Sequence, residues 1–196
     1  MWPKSMLRCT SSMWGSLLGF LPGNASVTMP DRDSDEDGSW DSYWADAKKD
    51  IERQLGEHDC IGKIVIRAHG NNQTVGQITA KRLEEPGSAQ SKFLEWLKTV
   101  RCVEACSIDI KACGVAQGSP GRQFISKISI QSGYKVQAWD DVYAGRGYGK
   151  QWEATPDGNS DGTDVKVISD SGRTVDPTNG KKQKGSGCFV RKGKDK

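Results

Sequence analysis

Two stretches of this sequence end in residues that could do chemistry together. Residues 64–70 read I-V-I-R-A-H-G and residues 108–114 read I-D-I-K-A-C-G. Each is an alternating or continuous apolar run that stops at a reactive side chain followed by glycine. A cysteine is a nucleophile as its thiolate, and a neighbouring imidazole can take the thiol proton or stabilise the anion. His69 and Cys113 are therefore a candidate base and nucleophile. Gly70 has no Cβ to hold a substrate off the main chain. Its N–H, with that of Cys113, is a candidate donor pair for the oxyanion that forms on an attacked carbonyl. Gly114 permits a tight turn after the nucleophile. Without each other, the two residues reduce to a buried structural cysteine and a hydrogen-bonded loop histidine.

Other residues could select a substrate. Asp140 and Asp141 follow a third apolar run, next to Trp139, and either carboxylate could pair with an Arg or Lys, bidentately for Arg. Their plainer role is as solvated loop acids or a helix cap. Arg146 and Arg122 are the rival selectors, for an acidic residue, but Arg122 opens a helix and should face away. The G-R-G-Y-G stretch at 145–149 resembles a phosphate loop, yet no helix pattern follows it, so a tight loop is the better reading. Serine-hydrolase, zincin and Walker motifs are absent from the sequence. The cysteines at 9, 60, 102, 106, 113 and 188 lack paired C-x-x-C spacing and have no histidine at metal-ligand spacing. That pattern predicts no structural zinc, no cofactor, no disulfide framework and a reducing compartment, with room for one incidental bridge.

The elements that must position these residues can be read from periodicity. Residues 40–55 place Trp40, Tyr43, Trp44, Ala47, Ile51 and Leu55 at helical spacing. A strand follows at 63–68, then a short strand or hairpin arm at 75–80 after the N-N-Q turn. Residues 88–100 form a second helix, 107–112 a second strand, 122–130 a third helix stopped by Gly133, and 134–139 a third strand. This β-α-β-α-β order calls for a parallel sheet with right-handed crossovers. Active sites in such sheets lie at the carboxyl ends of the strands. His69 and Cys113 therefore meet if their strands are parallel neighbours. Short strands at 151–155 and 164–169 complete the pattern.

Composition sets the frame. A chain of 196 residues supports one core, and 35% apolar residues with a mean hydropathy of −0.66 predict polar ends around it. Residues 1–38 read as a disordered or targeting-like extension with an acidic linker, 39–170 as the α/β domain and 171–196 as a basic flexible tail. No stretch reaches the length of a spanning helix. The expected protein is soluble, with the cytoplasm favoured and secretion as the alternative. Its expected partner is a peptide or protein. The basic tail has no aromatic-rich face beside it, which argues against nucleic acid.

The strand-end H-G and A-C pairs resemble the paired signature of caspase-like cysteine peptidases, clan CD. Residues 64–158 are similar to a caspase-like domain of unknown function found in large bacterial surface and repeat proteins. The matching pieces include V-G-Q-I-T, F-L-E-W-L, A-C-G-V-A-Q-G-S-P-G-R-Q-F-I, Y-K-V-Q-A-W-D-D and G-K-Q-W-E-A-T-P-D-G. The resemblance implies a three-layer α/β domain with a mostly parallel central sheet flanked by helices. It also implies His69 as base, Cys113 as nucleophile and the Gly70 N–H in the oxyanion hole. The expected activity is a cysteine endopeptidase working through a thioester acyl-enzyme. A catalytically silent interaction, toxin or secretion module is the alternative, and a small-molecule thiol hydrolase or transferase a third reading.

Overall fold

The computed structural model describes residues 6–11, 24–29, 39–55, 60–102, 106–143, 147–158 and 161–171. In chain order the elements are β1 (Met6–Ser11), β2 (Asn24–Met29), α1 (Ser39–Leu55) and β3 (Lys63–Arg67). Next come the short strands β4 (Gly70–Asn71), β5 (Thr74–Val75) and β6 (Ile78–Thr79), then α2 (Ala80–Leu83) and α3 (Ala89–Thr99). The chain continues through β7 (Ser107–Lys111), α4 (Gly118–Ser132), β8 (Lys135–Trp139), β9 (Lys150–Ala154) and β10 (Lys166–Asp170).

The apolar runs become the middle of a five-stranded mixed sheet in the order β10-β9-β8-β7-β3. β3 pairs in parallel with β7, Ile64 opposite Ile108 and Arg67 opposite Lys111. β7 pairs in parallel with β8, whereas β9 runs antiparallel to β8 and β10 antiparallel to β9. Because β3, β7 and β8 step across the sheet in one direction, right-handed crossovers place both connecting helices on the same face. The packing agrees: α1 lies against α3, and α3 against α4.

That face carries the core. Ile64, Ile66, Ile108, Ile110, Val136 and Ala138 meet Trp44 and Ile51 of α1, Leu94 and Leu97 of α3, and Phe124, Ile125 and Ile128 of α4. The opposite face alternates to polar residues, as period-2 side-chain placement requires. Its central row runs Val65, Asp109, Gln137, Glu153, Lys166 across the five strands. Gln137 donates to Glu153 at 3.0 Å, and Lys166 lies 3.4 Å from the same carboxylate. Val65 is only 3% exposed but stands outside the main core cluster.

Local chemistry sets the helix ends. Ser88 caps α3 by accepting from the Ser91 N–H at 3.2 Å, and Gly133 ends α4 in the left-handed conformation at φ 72°. α4 begins at Gly118, four residues before the expected start, because Pro120 fits the first turn of a helix, where its missing N–H is no loss.

Two strands, β1 and β2, fall inside the stretch that the sequence reads as an extension. They pair in parallel, β1 against β3 and β2 against α1. The pair contains one β-branched apolar residue, Val27, which leaves little local strand signal. The remainder of residues 1–38, the basic tail from 172 onward and Arg146 lie outside the described residues.

The cysteine expectation needs correcting. Cys60 and Cys102 form a disulfide with Cα atoms 4.8 Å apart, and Cys113 is also disulfide-bonded. Spacing hid the first bridge because 42 residues separate its ends. The fold joins them: the Ile61 N–H donates to Val100 O at 2.7 Å, and the Cys102 N–H donates to Ile61 O at 3.0 Å. Cys106 keeps its thiol, which donates to the Cys102 carbonyl at 2.6 Å.

Candidate active site

β3 ends at Arg67 and β7 at Lys111, and these two residues are opposite each other in a parallel ladder. His69 and Cys113 each lie two residues beyond, at equal offsets from the same carboxyl edge. Lys63, Val65 and Arg67 precede His69 with the same parity, as Ser107, Asp109 and Lys111 precede Cys113. The same parity on β8 gives Lys135, Gln137 and Trp139, and beyond the strand Asp141. Both His69 and Cys113 are half-buried, each on the loop that leaves its strand at this edge.

After His69 the chain turns into a three-stranded antiparallel meander, β4-β5-β6. The Asn71 carboxamide accepts from the Gln73 N–H at 2.8 Å and sets the first turn. The Gly76 N–H donates to His69 O at 2.9 Å, and Gly70 pairs with Val75. Bonded and non-bonded pairs alternate in an antiparallel ladder, so Gly70 holds a non-bonded position and its N–H points away from β5. Gly70 is sterically required. A Cβ there would sit 2.8 Å from Val115 Cγ2 and 3.0 Å from both Ala112 Cβ and Thr74 O. Ala112 and Val115 flank Cys113, so the loop after one strand packs directly on the loop after the other.

The Cys113 loop is pinned from β8. The Gly114 N–H donates to Asp141 O at 2.8 Å, and the Ala116 N–H donates to Trp139 O at 3.0 Å. Gly114 adopts φ 60°, the left-handed turn that a side chain would resist. Tyr143 then reaches over the site. Its N–H donates to Cys113 Sγ at 3.4 Å, and its carbonyl oxygen lies 3.8 Å from the same sulfur. A disulfide sulfur has no proton to donate, so the second contact becomes a hydrogen bond on reduction. Burial pushes the Tyr143 phenol above its ordinary range, with Arg67 pulling it down and Asp109 raising it further. The phenol therefore stays protonated at neutral pH, near Arg67 and Asp109.

The sequence matches the family described as "Domain of unknown function (DUF4347)" over residues 41–163, more than half of the chain. The chain belongs to the DUF4347 family. No curated protein and no solved structure matches it. The matched span of this DUF4347 domain runs from α1 past β9, so it includes both strand ends, the Cys113 loop and the two aspartates.

Those aspartates part company in the DUF4347 domain. Asp140 has the parity of the core face, and both of its oxygens serve the fold. One accepts from the Lys150 N–H at 2.7 Å and the other from the Trp152 indole at 3.0 Å. The Arg122 guanidinium stacks 4.7 Å over that indole, so Asp140, Trp152 and Arg122 tie β8, β9 and α4 together. Asp141 has the parity of His69 and Cys113. One of its oxygens accepts from the Val142 N–H at 2.7 Å. Trp139 is half-buried beside it.

The G-R-G-Y-G stretch has a steric explanation. A Cβ on Gly147 would fall within the Trp139 indole, and one on Gly149 would lie 2.3 Å from Asp140 Oδ1. Gly147 and Gly149 thus lie directly against the end of β8. Tyr143 and Val115 are the site residues that spacing did not reveal. Tyr143 acts through its backbone, for which a side-chain type gives no signal; Val115 acts only as the neighbour that forbids a side chain at Gly70. Among the described residues, no group of three or more His, Cys, Asp and Glu gathers as metal ligands would.

Proposed function

We propose that this chain is a caspase-like cysteine endopeptidase whose dyad is His69 and Cys113. The observation that carries the reading is the in-register parallel pairing of β3 with β7, which brings both strand ends to one edge of the sheet. With Cys113 reduced, His69 takes the thiol proton, the thiolate attacks the scissile carbonyl carbon, and the carbonyl electron pair moves to oxygen. The N–H groups of Gly70 and Cys113 hold that oxyanion. Its collapse breaks the C–N bond, and His69 gives the leaving amine its proton. A water, deprotonated by His69, then hydrolyses the thioester and returns the thiol.

Asp141 is the proposed selector of an Arg or Lys before the cleaved bond, with Trp139 as a wall of the same subsite. Asp140 and Arg122 are the less apt choices, since each is engaged in the brace around Trp152. The third layer of the caspase-like architecture belongs, in this reading, on the polar face of the sheet. Two disulfides favour an oxidising compartment over the cytoplasm. No helix among the described residues is long and apolar enough to cross a membrane.

One observation favours the second reading, a catalytically silent interaction module: Cys113 is disulfide-bonded and so is not a thiolate in this state. A positional-scanning peptide library, offered to the reduced protein, separates the two. The peptidase reading predicts cleavage after Arg or Lys that Cys113→Ala abolishes, and a chloromethyl ketone of matching sequence that labels Cys113 alone. No cleavage, or cleavage unchanged in Cys113→Ala, would retire it in favour of the silent module.

A further inference from the structure

We propose that Arg67 binds an acidic side chain of the substrate, at the first or second residue after the cleaved bond. The inference rests on the peptidase reading and deepens it by naming a second feature of the peptide. Arg67 is the last residue of β3, two residues before His69. It is half-buried, and its Nε is buried with no hydrogen-bond partner. Among the described residues, its guanidinium makes no hydrogen bond and no ion pair. Buried donors are nearly always paired, and one that is not calls for an acceptor from outside the chain.

The charges around Arg67 favour an anion. Lys111 stands opposite it in the parallel ladder, so two cations are neighbours at this edge. The carboxylate near them, Asp109, lies 3.6 Å from Lys111 Nζ. The Tyr143 phenol, which feels both Arg67 and Asp109, stays protonated and adds no charge. Lys111 thus has its counter-charge and Arg67 does not. A guanidinium presents a planar fork that takes a carboxylate through two parallel N–H···O bonds.

Strand order decides which part of a peptide reaches Arg67. β7, with the Cys113 loop beyond it, lies between β3 and β8. Asp141, the proposed selector of the residue before the cleaved bond, follows β8, whereas His69, which protonates the leaving amine, follows β3. The amine side of the peptide therefore runs toward β3 and Arg67. Neighbouring strands stand about 4.8 Å apart, and an extended peptide rises about 3.3 Å per residue. The step from β7 to β3 is thus roughly one to two residues of peptide. Tyr143 spans the same distance: its N–H lies 3.4 Å from Cys113 Sγ, and its phenol feels the Arg67 charge.

The test uses the full chain carrying Cys113→Ala, so that bound peptides are not cut, and fluorescein-labelled peptides read by anisotropy. Each peptide holds one Arg, with Glu, Gln or Lys at the first or second residue after it. At one of these positions Glu should bind about tenfold more tightly than Gln. Adding Arg67→Gln should erase that preference, Arg67→Lys should keep part of it, and Arg67→Glu should transfer it to Lys. Urea unfolding of each variant checks that the fold is intact. Equal affinity for Glu and Gln at both positions, or a preference that survives Arg67→Gln, would overturn the subsite. The reduced wild type is then offered the same peptides. Cleavage after Arg that Glu does not improve would count against Arg67 alone. An Arg67-dependent preference without cleavage would keep Arg67 as an anion site and count against the peptidase alone.

Discussion

Two adjacent aspartates show how one position in the chain changes a residue's work. Asp140 turns toward the core side, where its oxygens hold the Lys150 N–H and the Trp152 indole. Asp141 follows it by one residue and shares the parity of the dyad. The two should therefore fail differently when changed to asparagine. Asp140→Asn weakens two charge-assisted bonds and should cost about 1–3 kcal/mol, read as a lower midpoint of thermal or urea unfolding. Asp141→Asn, where the carboxylate accepts from the Val142 N–H, should cost less than that while cleavage after Arg or Lys is lost. Equal unfolding penalties would mean that both residues are structural. Gly70 offers a third residue-scale test. Gly70→Ala drives a methyl into Val115, Ala112 and the Thr74 carbonyl, and should destabilise by roughly 1–3 kcal/mol, because backbone and core atoms must move to admit it.

Elements explain what could and could not be read from the sequence. The strands at Lys63–Arg67 and Ser107–Lys111 are legible because Ile64, Val65 and Ile66 make a β-branched run and Ile108 and Ile110 alternate with Ser107, Asp109 and Lys111. Their parallel pairing follows from the helix between them. α3 is legible from Phe93, Leu94 and Leu97, and its cap from Ser88. The Cys60–Cys102 bridge is not legible, since it depends on two chain segments that meet only when β3 and β7 pair. α2 is too short, at four residues, to show a period. Closing a loop of 42 residues constrains the unfolded chain by about 4 kcal/mol in the chain-entropy account. The double variant Cys60→Ser, Cys102→Ser should approach that loss in urea unfolding, and an unchanged midpoint would show the bridge to be idle. A smaller tie joins α2 to α4: Lys127 pairs with Glu84 at 2.5 Å, and Gln131 donates to Leu83 O at 2.9 Å. The hydrogen bond and charge of Lys127 hold the Glu84 carboxyl below its ordinary 4.5. A lowered carboxylate stabilises the fold above its unfolded pKa, and that contribution is lost as the pH falls below about 4.5. Glu84→Gln should therefore flatten the acid limb of the stability profile slightly and leave the neutral plateau almost unmoved.

At the scale of the molecule, the sheet divides the labour. Its helix-covered face holds the core cluster of the described residues. Its other face carries a charged and amide row, with His69, Cys113 and Asp141 at the carboxyl edge and Tyr143 above. Function can change there without disturbing the core. The sidedness of the sheet was implicit in the alternation of Ser107, Asp109 and Lys111 against Ile108 and Ile110. The disulfide on Cys113 was not implicit in the spacing around that residue. The proposed chemistry depends on His69 acting on Cys113. After reduction, the rate of Cys113 alkylation by iodoacetamide at neutral pH should fall about tenfold or more in His69→Ala, because the thiolate loses its imidazole. Equal rates in the two proteins would show that His69 and Cys113 do not work as a pair.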